Sequence, residues 1–145
     1  MVGTIWSMAA PTDVTAATLA VSGGTPAGKT YTLSLAAAQT VTLPAATGSG
    51  NLYRFFEAIT ATGDHVIQVT GTDIIAGGLS IATDIAGVVL NTSATTDTIT
   101  MNGTTTGGVK GSYLTLQDIA SGIWALDGFL ISTGVEATPF SAAVP

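Results

Sequence analysis

The chain has a single histidine, His65, directly after Asp64, and no cysteine. Hydrolysis of the serine type would need that imidazole as general base and a carboxylate to orient it. Adjacent residues of an extended strand point to opposite faces, so Asp64 is badly placed for the task. No G-x-S-x-G elbow occurs either. The pattern predicts an exposed histidine beside a turn. Without cysteine there is no thiol nucleophile, no Cys-ligated zinc, no iron–sulfur cluster and no disulfide framework.

Carboxylate pairs that cleave glycosides stand about 5–10 Å apart across a cleft. The nine acids offer many formal pairs, but Asp13, Asp64, Asp73, Asp84, Asp97, Asp118 and Asp127 all sit beside Gly, Thr, Ile or His in turn-like contexts. Turn chemistry explains them, because an Asp carboxylate bonds back to nearby amides. Three of them open the phrases Asp73-Ile74-Ile75-Ala76-Gly77, Asp84-Ile85-Ala86-Gly87 and Asp118-Ile119-Ala120-Ser121-Gly122. Their spacing sustains no solenoid period, so they read as a recurring connector. Glu57 shares a strand with Arg54, on the opposite face if that strand is regular. Arg54 is the sole arginine, and its fork could grip a carboxylate of a neighbouring subunit.

Metal and phosphate chemistry is not encoded. There is no EF-hand loop and no H-E-x-x-H, and Gly77-Gly78 and Gly107-Gly108 lack the GK[ST] ending of a phosphate loop. No cofactor and no catalytic residue is expected. Thr-x-Thr pairs recur at irregular gaps, which suits the solvent side of ordinary strands better than an ice-matching lattice.

The elements around these residues read as strand, turn, strand from Lys29 onward. Tyr31-Thr32-Leu33-Ser34-Leu35, Thr40-Val41-Thr42-Leu43 and Thr98-Ile99-Thr100-Met101 alternate apolar and hydroxyl residues. Leu52–Ile59 and His65–Val69 read as a hairpin through Thr62-Gly63-Asp64. Asn102-Gly103 and Asp127-Gly128 read as turns, and residues 45–51 as a loop. Nine or ten short strands predict an all-β fold, an antiparallel sandwich or jelly-roll-like knob over residues 29–145. Residues 1–28 hold Pro11, Pro26 and a run of small residues, and keep no period for long. They read as an N-terminal arm or edge segment, in which Asp13 could cap a helical turn over residues 14–20. Ile5, Trp6 and Met8 are the apolar groups through which such an arm would grip a neighbour.

Charge then narrows the function. Only Lys29, Arg54 and Lys110 are basic, and net charge is −6, so a phosphate-binding surface for nucleic acid is excluded. Charged residues are 8% of the chain while apolar ones are 46%, which is the wrong balance for disorder. No run of 18 apolar residues occurs and the start shows no secretory signal, so no membrane association is expected. Folding would leave roughly 6,800 Å² of surface, covered mainly by Thr, Ser, Ala and Gly. Neutral surface is cheap to desolvate, and interface centres are depleted in charge. An assembly component is the reading that follows.

Several phrases then form a familiar set. They are Leu43-Pro44-Ala45-Ala46-Thr47-Gly48-Ser49-Gly50 with Leu52-Tyr53-Arg54-Phe55, and His65-Val66-Ile67-Gln68-Val69. Asp97-Thr98-Ile99-Thr100 running to Asp118-Ile119-Ala120-Ser121-Gly122-Ile123-Trp124, and Ala137-Thr138-Pro139-Phe140-Ser141, complete it. Together, over roughly residues 29–142, the chain resembles head decoration (cement) proteins of tailed bacteriophages. The resemblance implies a β knob on the outer capsid surface of a virion, often a homotrimer, with the major capsid protein as partner and no catalytic residue. A tail-fibre or receptor-binding β module is the alternative, and it would show a concave aromatic pocket using Tyr53, Tyr113 or Trp124.

Overall fold

The computed structural model describes residues 10–23 and 29–145. None of these residues is helical, and they form twelve strands. These are β1 (Thr12–Val14), β2 (Thr18–Ala20), β3 (Lys29–Leu33), β4 (Gln39–Thr42), β5 (Leu52–Glu57) and β6 (His65–Gln68). Then come β7 (Ile74–Ala82), β8 (Gly87–Asn91), β9 (Thr98–Met101), β10 (Tyr113–Ala120), β11 (Ile123–Ile131) and β12 (Phe140–Ser141). A seven-stranded sheet runs β1-β3-β5-β10-β11-β7-β8, and a five-stranded sheet runs β12-β9-β6-β4-β2.

Period-two patterning decides which face each strand buries. Tyr31 and Leu33 on β3, Tyr53 and Phe55 on β5, Leu114 and Leu116 on β10, and Trp124 and Leu126 on β11 turn inward from the larger sheet. Val41 on β4, Ile67 on β6, and Ile99 and Met101 on β9 turn inward from the smaller one. All belong to a single apolar cluster, so the two sheets share one core in a sandwich-like arrangement. Burying each large side chain contributes about 1.5–3 kcal/mol.

The pairing departs from an antiparallel knob. Five of the ten strand pairings are parallel: β1–β3, β3–β5, β2–β4, β4–β6 and β11–β7. From β1 to β6 the chain alternates between the sheets, laying each strand parallel to the one placed two before it. Local alternation gives a strand its faces but not its neighbour, so this winding is invisible in the pattern. It also overturns the expected hairpin: β5 and β6 lie in different sheets and face each other across the core. No helical turn follows Asp13, because residues 12–14 and 18–20 pair at the edges of both sheets instead. Ile5, Trp6 and Met8 lie outside the described residues.

Asp127-Gly128 is not a turn, since β11 runs straight through it. Glycine is needed there for close approach: a Cβ on Gly128 would stand 2.5 Å from the Tyr113 carbonyl oxygen on β10. Residues 45–51 do form a loop between β4 and β5, with Gly48 at φ +78°.

Candidate functional site

His65 opens β6 and is fully buried, at 0% exposure. The expectation of an exposed, turn-side histidine is therefore wrong. Its phase explains why: His65 alternates with Val66 and shares the inward face with Ile67. Glu57 on β5 shares the inward face with Tyr53 and Phe55 and is 1% exposed. The two meet across the core, Nδ1 lying 2.8 Å from Oε2 and 3.0 Å from Oε1. On the far side Nε2 lies 2.8 Å from the Leu35 carbonyl and 3.1 Å from that of Ala37.

That geometry fixes the protons. Two carbonyls can only accept, so Nε2 carries a hydrogen, and a second proton lies between Nδ1 and the carboxylate. Burial alone would lower the His65 pKa, but the Glu57 hydrogen bond and charge, with both carbonyls, outweigh it and leave the value raised. Burial raises Glu57 as well, against the pull of His65. Both directions mean that the pair holds its shared proton more tightly than the separate groups would. Among the described residues no hydroxyl bonds to the ring, and a ring with no exposed surface cannot meet a substrate. The pair ties one sheet to the other.

Asp118 on β10 is the second polar centre and is 2% exposed. Its oxygens accept from the backbone amides of Thr47, Gly48 and Ser49 at 2.7–3.1 Å. The Ser49 hydroxyl donates at 2.6 Å and the Thr47 hydroxyl at 3.2 Å. Burial works against the charge, yet these donors hold the carboxyl at about 2. Asp73 accepts from the Ala46 amide of the same loop at 2.6 Å. The Asp-Ile-Ala phrases were expected to bond back locally. Two of the three instead reach a loop far along the chain, which pattern reading along the sequence could not find.

Asp97 follows the same habit at the C-terminal end. It accepts from the Thr98 hydroxyl at 2.7 Å and from the Ala143 and Val144 amides at 2.8 and 3.2 Å. Asp13 accepts from the hydroxyls of Thr32 and Ser34. Five of the nine carboxylates are thus engaged by the chain's own donors. Among the described residues no group of three or more His, Cys, Asp or Glu side chains could hold a metal ion.

The outer surface carries the remaining candidates. Arg54 lies on the solvent face of β5, opposite to Glu57, with its guanidinium 4.5 Å from the Tyr113 ring centre. Ile85, Val89 and Val135 are 91%, 68% and 86% exposed, and Ile119, Val88 and Phe129 are also open. A cavity of about 350 Å³ lies between Gly23, Pro44, Ser49, Tyr53, Asp118 and Trp124. Trp124 is buried, and its indole N–H has no acceptor among the described residues. Tyr53 and Trp124 nevertheless serve mainly as core, their rings 5.8 Å apart. Set against known protein families, curated proteins and solved structures, the chain matches none.

Proposed function

We propose that this chain is a structural subunit that decorates and stabilises the outer surface of a tailed-phage capsid, acting through contacts with the major capsid protein and with its own copies. One observation carries this reading: the chain turns five of its nine carboxylates onto its own donors and leaves a neutral, partly apolar exterior. A free monomer keeps about a quarter to a third of its surface residues charged. Here 8% of the whole chain is charged, and five carboxylates are already engaged. A trimer at local threefold positions is the arrangement the resemblance implies. Arg54 offers the exposed cation for a subunit contact, and Ile5, Trp6 and Met8 offer apolar anchors.

The test is cosedimentation with expanded heads built from a tailed-phage major capsid protein taken from the same genome as this chain. Saturable binding and a raised head melting temperature are the expected results. Heads that neither bind the chain nor gain stability would end the reading. Truncation to test the arm should stop at residue 9, because residues 12–14 and 18–20 belong to the sheets.

The cavity beside Trp124 favours a second reading, a receptor-binding module that takes a small polyol or sugar. Its lining includes Ser49, Tyr53 and Trp124, whose indole N–H has no acceptor among the described residues. A change in tryptophan emission on titration with simple sugars would favour it, and flat titrations would leave decoration as the sole reading.

A further inference from the structure

The geometry points to β8 as a self-pairing edge: two copies of this chain join their seven-stranded sheets through antiparallel β8–β8 pairing centred on Val89. The inference goes beyond capsid decoration and stands whether or not the surface that the knob decorates is a phage head.

Among the described residues strand β8 has a neighbour on one side only, β7, in the register Leu79↔Leu90, Ser80↔Val89 and Ile81↔Val88. Just beyond its two ends, the Thr92 amide donates to the Gly77 carbonyl and the Thr83 amide donates to the Ala86 carbonyl. Antiparallel bonds alternate along a strand, so residues 88 and 90 spend their N–H and C=O groups on β7. Gly87, Val89 and Asn91 therefore direct theirs away from the sheet.

Other rims of the two sheets are guarded, and this one is not. Strand β1 is three residues long, follows Pro11 and carries Asp13. Strand β12 has two residues and follows Pro139, and β2 has three. Short edges, prolines and charges are the usual devices against edge-to-edge pairing. Strand β8 has five residues, no proline and no charge, and its valines are open on both faces. From Ile85 to Thr96 no residue is charged at all.

A second copy fits this edge by symmetry. A twofold axis through Val89 places Val89 opposite the partner's Val89 and Gly87 opposite the partner's Asn91. On the other face Val88 meets the partner's Leu90. Each facing hydrogen-bonded pair exchanges two backbone bonds, and no charge meets a charge although each copy carries −6. Five residues a side bury well under the ~1,200 Å² of a free-standing complex. The pair is accordingly weak in dilute solution and strengthens when copies are held side by side on a surface.

The absence of native cysteine makes the test clean. Val89→Cys is expected to form a disulfide dimer under mild oxidation, with about tenfold more yield than Ile119→Cys, an exposed control on β10. A mixture of Val88→Cys and Leu90→Cys should crosslink across species better than either alone, which reads the register. Sedimentation of the unmodified chain should shift from monomer towards dimer as concentration rises from micromolar to near-millimolar. Val89→Lys should abolish that shift while keeping the circular dichroism of the parent.

Equal crosslinking at positions 89 and 119, or a monomer at every concentration, would overturn the proposal. If Val89→Lys lost capsid binding while the parent never dimerised, a strand of the capsid protein would be the occupant and self-pairing would be wrong. If heads failed to bind the chain but Val89→Cys still crosslinked, decoration would fall and this inference would stand.

Discussion

The middle and the rim of the seven-stranded sheet treat polar groups in opposite ways. In the middle, β5 and β10 turn Glu57 and Asp118 inward, where Glu57 meets His65 of the other sheet and Asp118 takes its donors from a loop 69–71 residues away in the chain. At the rim, β8 carries no ionisable group and leaves alternate backbone groups unclaimed by any described residue. A chain with twelve charged residues could have spread them outward for solubility. Instead it spends several on internal order, where a paired charge fixes one geometry, and keeps neutral the strand best suited to contact. The lesson is that low charge here marks a division of labour within a single sheet.

Breaking the inner side of that comparison should cost most. His65→Leu leaves the Glu57 carboxylate buried without its partner, and destabilisation of about 3–5 kcal/mol is expected in urea unfolding. The double variant with Leu at both positions should recover most of the loss, because an apolar pair needs no counter-charge. Equal instability of the single and double variants would show that side-chain packing, not the ion pair, matters at this point.

Asp118→Ala comes next, with an expected loss of about 2–3 kcal/mol as three loop amides and two hydroxyls lose their acceptor. The effect should be local as well as global, with amide exchange at Thr47, Gly48 and Ser49 rising first. A melting temperature equal to that of the parent would mean that water replaces the carboxylate without penalty.

The two centres also predict opposite pH flanks. Asp118 is held at about 2, below its ordinary 3.8, so its contribution is present above pH ~4 and is lost as pH falls through 2. His65 has a raised value, so its contribution is full below about 6.5 and fades as pH rises through the folded value. Glu57 is raised as well, so its burial begins to cost stability as pH rises above its ordinary 4.5. Stability should therefore be greatest near pH ~4 and decline from there towards the alkaline side. His65→Leu alone leaves Glu57 without its partner, raised further and still losing stability as pH rises. In the double Leu variant the alkaline decline should flatten while the acid flank remains. An alkaline slope unchanged in that variant would assign the flank to another group.

How much of this was legible beforehand follows from the range of each interaction. The all-β class and the loop over residues 45–51 follow from local alternation and composition, and these are present, whereas Tyr53 and Trp124 prove to be core and Tyr113 only half-buried. The inward phase of Glu57 and His65 was legible in the same alternation, had polar residues been counted along with apolar ones. Pairing was not legible. Which sheet receives β6 depends on how connections cross the core, and no residue type records that. The Asp118 contacts join positions 69–71 residues apart, and the Asp-Ile-Ala phrase reads the same whether its carboxylate reaches its own turn or a distant loop.

The smallest effect sharpens the comparison most. Val89 is 68% exposed, and its N–H and C=O point away from β7, so Val89→Lys removes no buried contact and no hydrogen bond of the monomer. Loss of β propensity and of a little packing should change unfolding free energy by no more than about 0.5 kcal/mol. The same lysine pair would stand face to face in a twofold strand pairing, where like charges directly opposite oppose association. A change that is silent in the unfolding of the dilute monomer and decisive in concentration-dependent sedimentation would separate the two roles at one residue. If instead Val89→Lys unfolds the chain, β8 is part of the stabilised interior, and the contrast between middle and rim does not hold.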